Sequence, residues 1–189
     1  MIFKELDGGL SVIDNLKVAG VKEGKYGVAV IVSENSDASA VFTSNKIVAA
    51  PVIYTKKVVE KGKVSAVFVN SGNANCFTGN QGIEDCESLV ELVSKELNIP
   101  KGEIAISSTG VIGRKMPLDV ITGVASKVFS SLGNKPEDSL AAANAIMTTD
   151  KIPKQCALEV TLTNGEKVKI AGITKGSGMI ACLLYTSPS

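Results

Sequence analysis

The chain has 189 residues, 44% of them hydrophobic, 21% charged and 4% aromatic, with a formal net charge of +1. That length suits one domain, or two small ones sharing a core, while the near-neutral charge and scarce aromatics exclude electrostatic steering to nucleic acid or anionic membrane and recognition by base stacking. Histidine is absent, which excludes a Ser-His-Asp or Cys-His pair and any His-containing zinc site within the chain.

A catalyst built from this chain needs another way to activate a nucleophile, and a lysine or a chain-terminal amine is what remains. Arg114 is the lone arginine, so bidentate arginine clamps are nearly excluded. Cys76, Cys86, Cys156 and Cys182 show neither C-x-x-C spacing nor clustering, the pattern of a reduced chain with mostly buried thiols. No cofactor or metal motif is legible. The first nine residues lack an apolar signal region and no apolar run reaches membrane-spanning length, so a cytoplasmic location is expected.

In chain order, 12–24 reads as strand and turn. Tyr26 to Val32 is a near-continuous β-branched run, the pattern of a strand buried on both faces. Polar Glu34 to Asp37 reads as a turn and Ser39 to Ser44 as a returning antiparallel strand. Val52 to Lys61, behind Pro51, reads as a short helix with a strand nearly as well supported. Val64 to Val69 reads as a buried strand running into a tight loop, Asn70 to Asn75. Glu84 to Leu97 has Ile83, Cys86, Val90, Val93 and Leu97 on one helical face, with Pro100 as the stop. Ile104 to Ser107 is a further short strand. Pro117 opens a helix whose stripe runs from Leu118 to Leu132, and Asp138 or Ser139 caps an alanine-built helix through Met147. Cys156 to Thr163 and Lys167 to Ile173 read as strands joined at Asn164-Gly165.

Three elements end in small, polar, glycine-bearing residues: Asn70 to Asn75, Ser108 to Gly113 and Lys175 to Gly178. A fourth end, Thr148 to Asp150, closes a helix. Rigid elements aim functional loops from such positions. Ser108-Thr109-Gly110 offers a hydroxyl and backbone N–H for an oxyanion, or simply a turn. Lys175 offers a cation at a strand end for a carboxylate, or a solvated surface charge. The K-G-S-G order does not fit a phosphate-binding P-loop.

Taken together, V-N-S-G-N-A-N at Val69 to Asn75, S-T-G-V-I-G at Ser108 to Gly113, A-I-M-T-T-D at Ala145 to Asp150 and K-G-S-G-M-I at Lys175 to Ile180 resemble the ornithine acetyltransferase (glutamate N-acetyltransferase) family of arginine biosynthesis. Ala40 to Asn45 with Ala49 to Val52 fits the same pattern, and the resemblance spans Gly8 to Ala181. It implies a layered α/β sandwich with central β-sheets and outer helices. It also implies a precursor that cuts itself into an α and a β chain, assembled as an α2β2 heterotetramer. The threonine opening the β chain is then the nucleophile, its free amine the base, in ping-pong transfer of an acetyl group from N2-acetylornithine to glutamate. By the same resemblance Thr109 and Gly110 form the oxyanion hole, and Thr149 and Lys175 bind substrate. Whether acetyl-CoA is also a donor, and which of Asn70, Asn73 and Asn75 touch substrate, the residues leave open.

The chain departs from that pattern after Ala181. Thr186 stands eleven residues after Lys175, in the register of the nucleophile, but Tyr185 replaces a small alanine and the expected Pro-Asn pair is missing. Residues 1–181 therefore read as an α-chain domain and 182–189 as an atypical, foreign tail, the whole being inactive without a β chain. Two alternatives share the sequence: a fragment that binds an acetylated amino acid without turnover, and a self-cleaving amidohydrolase or aminopeptidase of similar architecture.

Overall fold

A computed structural model describes residues 2–176. The tail 182–189, Thr186 within it, and the Ser177-Gly178 half of the glycine-rich turn lie outside the described residues.

Among the described residues there are two sheets and four α-helices. The strands are β1 (Ile2–Glu5), β2 (Lys17–Glu23), β3 (Tyr26–Asp37), β4 (Lys63–Asn73), β5 (Ile104–Val111), β6 (Lys154–Thr161) and β7 (Lys167–Thr174). The helices are α1 (Ala50–Val59), α2 (Gly79–Leu97), α3 (Leu118–Ser130) and α4 (Pro136–Ala145), with 3-10 turns at Gly9–Val12 and Lys101–Glu103. The larger sheet has the order β2-β3-β4-β5, antiparallel except for the parallel β4–β5 pair; the smaller is β1-β6-β7, antiparallel throughout.

Period-2 alternation divides the larger sheet into two apolar faces. Val28, Val30 and Val32 of β3, with Ala19, Ala66, Phe68, Ile104 and Ile106 from its neighbours, pack under Leu89, Val90 and Val93 of α2 and Ile121, Val124 and Val128 of α3. The opposite face presents Val18, Ala29, Ile31 and Val69 to Leu10, to Ala142, Ala145 and Ile146 around α4, and to Ala171 and Ile173 of β7. The layers are thus α1–α3, the larger sheet, and then α4 with the smaller sheet. This is the α/β sandwich expected, and β3 is the doubly buried strand its β-branched run predicts.

Five expectations are corrected. Residues 34–37 do not turn: β3 continues to Asp37 through a bulge between Val32 and Ser36, where Asn35 takes φ 55° and donates its N–H to Ser65 Oγ at 2.9 Å. Residues 39–44 form no strand, because the neighbour they would need is already supplied by β4; Val41 is 89% exposed. Asn70 to Asn73 is strand rather than loop, paired with Ser108 to Val111 of β5. Helix α2 begins at Gly79, earlier than expected, and ends at Leu97 as expected, but its stop is Asn98, left-handed at φ 54°, rather than Pro100. Helix α1 resolves the helix-or-strand ambiguity in favour of the helix, with Pro51 in its first turn. At the start of α4, Asp138 Oδ2 accepts the Lys135 N–H at 2.9 Å, while Ser139 is buried inside the helix and accepts the Leu10 N–H at 2.9 Å. Of the three described cysteines only Cys86 is buried; Cys156 is exposed and Cys76 intermediate, so the expectation of mostly buried thiols fails. No helix among the described residues is long and apolar enough to cross a membrane.

Candidate functional site

One row of residues crosses the larger sheet on the α4 side. Lys22 of β2 pairs with Gly27 of β3, Gly27 with Ser71 of β4, and Ser71 with Thr109 of β5. Gly27 is the low point of that row: a Cβ there would lie 2.2 Å from the Ala145 carbonyl oxygen. The end of α4 drops into the gap, where its orphan carbonyls need donors. Ser71 Oγ donates to Ala145 O at 2.6 Å, and the Lys22 ammonium donates to Met147 O and to Ser71 Oγ, the latter at 2.8 Å. Gly20, whose absent Cβ would meet Ala142 Cα at 2.5 Å, lets the same helix lie close on β2. The result places Thr148, Thr149 and Asp150 beside the end of β5.

The last strand, β7, brings Lys175 to the same point. Its Nζ lies 3.1 Å from Thr109 Oγ1 and 2.8 Å from Thr148 Oγ1. A lysine has only donors, so both hydroxyl oxygens accept and each threonine keeps its own hydrogen to donate. Asp150 sits behind them with its side chain 1% exposed, one oxygen 4.0 Å from Lys175 Nζ and the other 2.8 Å from Lys154 Nζ. Burial works against its ionisation, but the Lys154 ammonium and the N–H groups of Gly176 and Thr148 outweigh that and hold the carboxyl at about 2. Burial, and then the charge of Lys175, push Lys22 below the ordinary lysine range, with Asp150 opposing. Three lysines around one carboxylate make a site with net positive charge, suited to an anionic group.

Gly110 follows Thr109 at φ 136°, and a Cβ on it would lie 2.4 Å from the Gly72 carbonyl carbon and 2.6 Å from Asn73 N. The backbones of β4 and β5 meet here too closely for any side chain.

The three asparagines are all buried and all occupied. Asn70 donates to Asn73 O at 2.9 Å and accepts the Ser108 hydroxyl at 2.6 Å. Asn73 donates to the carbonyls of Arg114 and Lys115 at 3.1 and 3.0 Å and accepts the Asn75 N–H at 2.8 Å. Asn75 donates to Gly82 O at 2.9 Å and accepts the Thr78 hydroxyl at 2.9 Å. They shape the chain behind Thr109.

Of the residues singled out in the sequence, Thr109, Gly110 and Lys175 come together. Thr148, which was not assigned a role, also touches the lysine, and Thr149 follows it on the exposed side of the turn. Lys22 and Lys154 were missed, and Ser71 was given no role of its own within its motif. Ser71 and Asp150 carried a signal, the one inside N-S-G-N and the other as the acid that closes T-T-D.

Fold and site together define a layered α/β protein that gathers a lysine and two threonine hydroxyls at the ends of separate elements. The chain belongs to the ArgJ family, whose model matches residues 15–187. Similar curated proteins include the glutamate N-acetyltransferases of Methanothermobacter thermautotrophicus, 46% identical over 96% of this chain and 45% of that protein, and of Methanocaldococcus jannaschii, 44% identical over 93% and 44%. The chain spans about half the length of these relatives. Among solved structures it resembles the arginine biosynthesis bifunctional protein of Bacillus halodurans, with TM-score 0.87, 32% identity and coverage of 95% of this chain and 96% of that one. It also resembles the ornithine acetyltransferase of Mycobacterium tuberculosis complexed with ornithine, with TM-score 0.86, 33% identity and coverage of 95% and 98%.

Proposed function

We propose that residues 1–181 form the α-chain part of an acetyltransferase that moves an acetyl group from N2-acetylornithine to glutamate. The observation that carries this is the Lys175 ammonium seated on the hydroxyls of Thr109 and Thr148. In this reading Lys175 takes the α-carboxylate shared by both substrates, with Thr149 lining the same place. The acetyl carbonyl oxygen becomes negative as a tetrahedral intermediate forms. The Thr109 O–H, polarised by the lysine donating to it, and the Gly110 N–H stabilise that charge.

The nucleophile is the threonine that opens the second chain, whose register Thr186 occupies. Its own α-amine serves as base, which fits a chain without histidine. The threonine oxygen bonds to the acetyl carbon as the amide bond breaks and ornithine leaves, taking up the proton held by the α-amine; the glutamate amine then attacks the acetyl-threonine ester, giving N-acetylglutamate and regenerating the hydroxyl. The chain by itself holds half of that site and works with a β chain in an α2β2 assembly, in the cytoplasm. The similarity to glutamate N-acetyltransferases and to an ornithine-bound ornithine acetyltransferase supports the choice of substrates.

Co-expression with the second half of a family member, purification of the assembled complex and assay of acetyl exchange between N2-acetylornithine and glutamate test this. Exchange is expected. A complex of the right mass that binds N2-acetylornithine without exchange would instead make the chain a binding fragment, and peptide hydrolysis in its place would point to an aminopeptidase.

A further inference from the structure

We propose that Asp150 and Lys154 are positioning residues which clamp the Gly176 peptide and so hold Lys175 against Thr109 and Thr148. This rests on the reading of Lys175 as the carboxylate-binding cation.

The ladder between β6 and β7 ends where Lys154 pairs with Thr174, so among the described residues no strand partner fixes Lys175 and Gly176. Side chains take over at that point. The Gly176 N–H donates to Asp150 Oδ1 at 2.6 Å, and its carbonyl accepts from Lys154 Nζ at 2.7 Å. The two clamping groups are themselves paired at 2.8 Å. One residue therefore has both of its backbone polar groups held by one ion pair. Gly176 takes φ 142°, a backbone conformation that residues with a side chain rarely adopt and that glycine reaches without steric cost, so the clamp acts on a point where the chain is otherwise free to turn. Charge-assisted bonds of this kind are stronger and more directional than neutral ones.

Asp150 links the clamp to the rest of the site, since its other oxygen accepts the Thr148 N–H at 3.4 Å and faces Lys175 at 4.0 Å. A single buried carboxylate thus sets Thr148, Gly176 and, between them, the lysine. The chain continues beyond Gly176 toward the register of the nucleophile, so the clamp sits at the last described point before it.

The test uses NMR of the full 189-residue chain with all backbone amides and the lysine side chains isotopically labelled, comparing the unsubstituted protein with Lys154→Met, Asp150→Asn and Lys154→Arg. Hydrogen exchange of the Gly176 amide is expected to accelerate at least tenfold in Lys154→Met and Asp150→Asn, while core amides of β3 keep their protection. Lys154→Arg restores most of it. The response of Lys175 to added N2-acetylornithine weakens at least threefold in the same two variants. Unchanged Gly176 exchange in Lys154→Met would overturn the clamp, as would equal loss of protection in β3, which marks a merely structural pair. Should Asp150→Asn fail to fold, Lys154→Met decides, its side chain being 32% exposed. Silence of Lys175 toward N2-acetylornithine in the unsubstituted chain overturns the substrate reading instead, and leaves Gly176 exchange to decide the clamp.

Discussion

Replacing Gly110 by alanine separates what the backbone demands from what the chemistry demands. The glycine sits at φ 136°, and an added Cβ would lie 2.4 Å from the Gly72 carbonyl carbon and 2.6 Å from Asn73 N, both backbone atoms with no rotamer to yield. A non-glycine residue in such a conformation costs about 1–3 kcal/mol, and overpacking a close-fitted contact costs about 1–3 kcal/mol more. The expected loss is about 2–6 kcal/mol, which lowers the melting temperature by roughly 4–24 °C for a chain of this size. Denaturant unfolding of the isolated chain measures it as a fall in midpoint at unchanged slope. Gly113→Ala is the control, since Gly113 has φ 75° but nothing within 4 Å of an added Cβ, and it should cost only about 1–2 kcal/mol. If Gly110→Ala were no less stable than Gly113→Ala, the close approach of β4 and β5 would be wrong. Gly110 would then owe its identity to the reaction alone.

Asp150 gives a pH signature. Its folded value, about 2, lies below the ordinary 3.8, so its stabilisation is fully present above about pH 4 and is lost as pH falls through 2. The difference is worth up to about 2.5 kcal/mol. Acid titration of unfolding free energy should show that loss in the unsubstituted chain and less of it in Asp150→Asn; parallel curves would contradict the assignment. Asp37, Glu91 and Glu159 are also lowered, but they are solvent-facing pairs with lysines and add little. Asn75→Ala strips partners from the Gly82 carbonyl and the Thr78 hydroxyl and should destabilise by about 2–4 kcal/mol by calorimetry; a change below about 0.5 kcal/mol would refute its structural role. Burial pushes the Cys86 thiol up to about 12, so native-state alkylation followed by peptide mapping should modify exposed Cys156 and spare Cys86 until the chain is unfolded.

The elements legible in the sequence are those whose apolar period matches one environment. β3 reads correctly because both its faces are buried, and α2 and α3 because each buries one stripe. β1 was not legible: its four residues, Ile2 to Glu5, are all exposed, and it exists because β6 offers an edge to pair with. Residues 39–44 look like a strand by composition yet have no partner strand. The alanines of α4 read as helix propensity, whereas their function is proximity, since Gly20 and Gly27 leave room only for a helix with small side chains. At the site, Thr109, Gly110 and Lys175 were legible through motifs at element ends. Lys22 and Lys154 were not, because a lysine near a strand terminus has the sequence appearance of any solvated charge. Only the cross-strand row from Lys22 to Thr109 and the pairing of Lys154 with Thr174 show where those two ammonium groups go.

The most direct test of the account is steady-state acetyl exchange by the assembled two-chain enzyme carrying Lys175→Met or Thr109→Ala. Lys175→Met should raise KM for both N2-acetylornithine and glutamate at least tenfold, because both lose the same carboxylate contact. Thr109→Ala should lower kcat by about 10²-fold or more through loss of an oxyanion donor, with a smaller change in KM. Exchange kinetics within twofold of the unsubstituted enzyme in both variants would contradict the claim that these two side chains form the site.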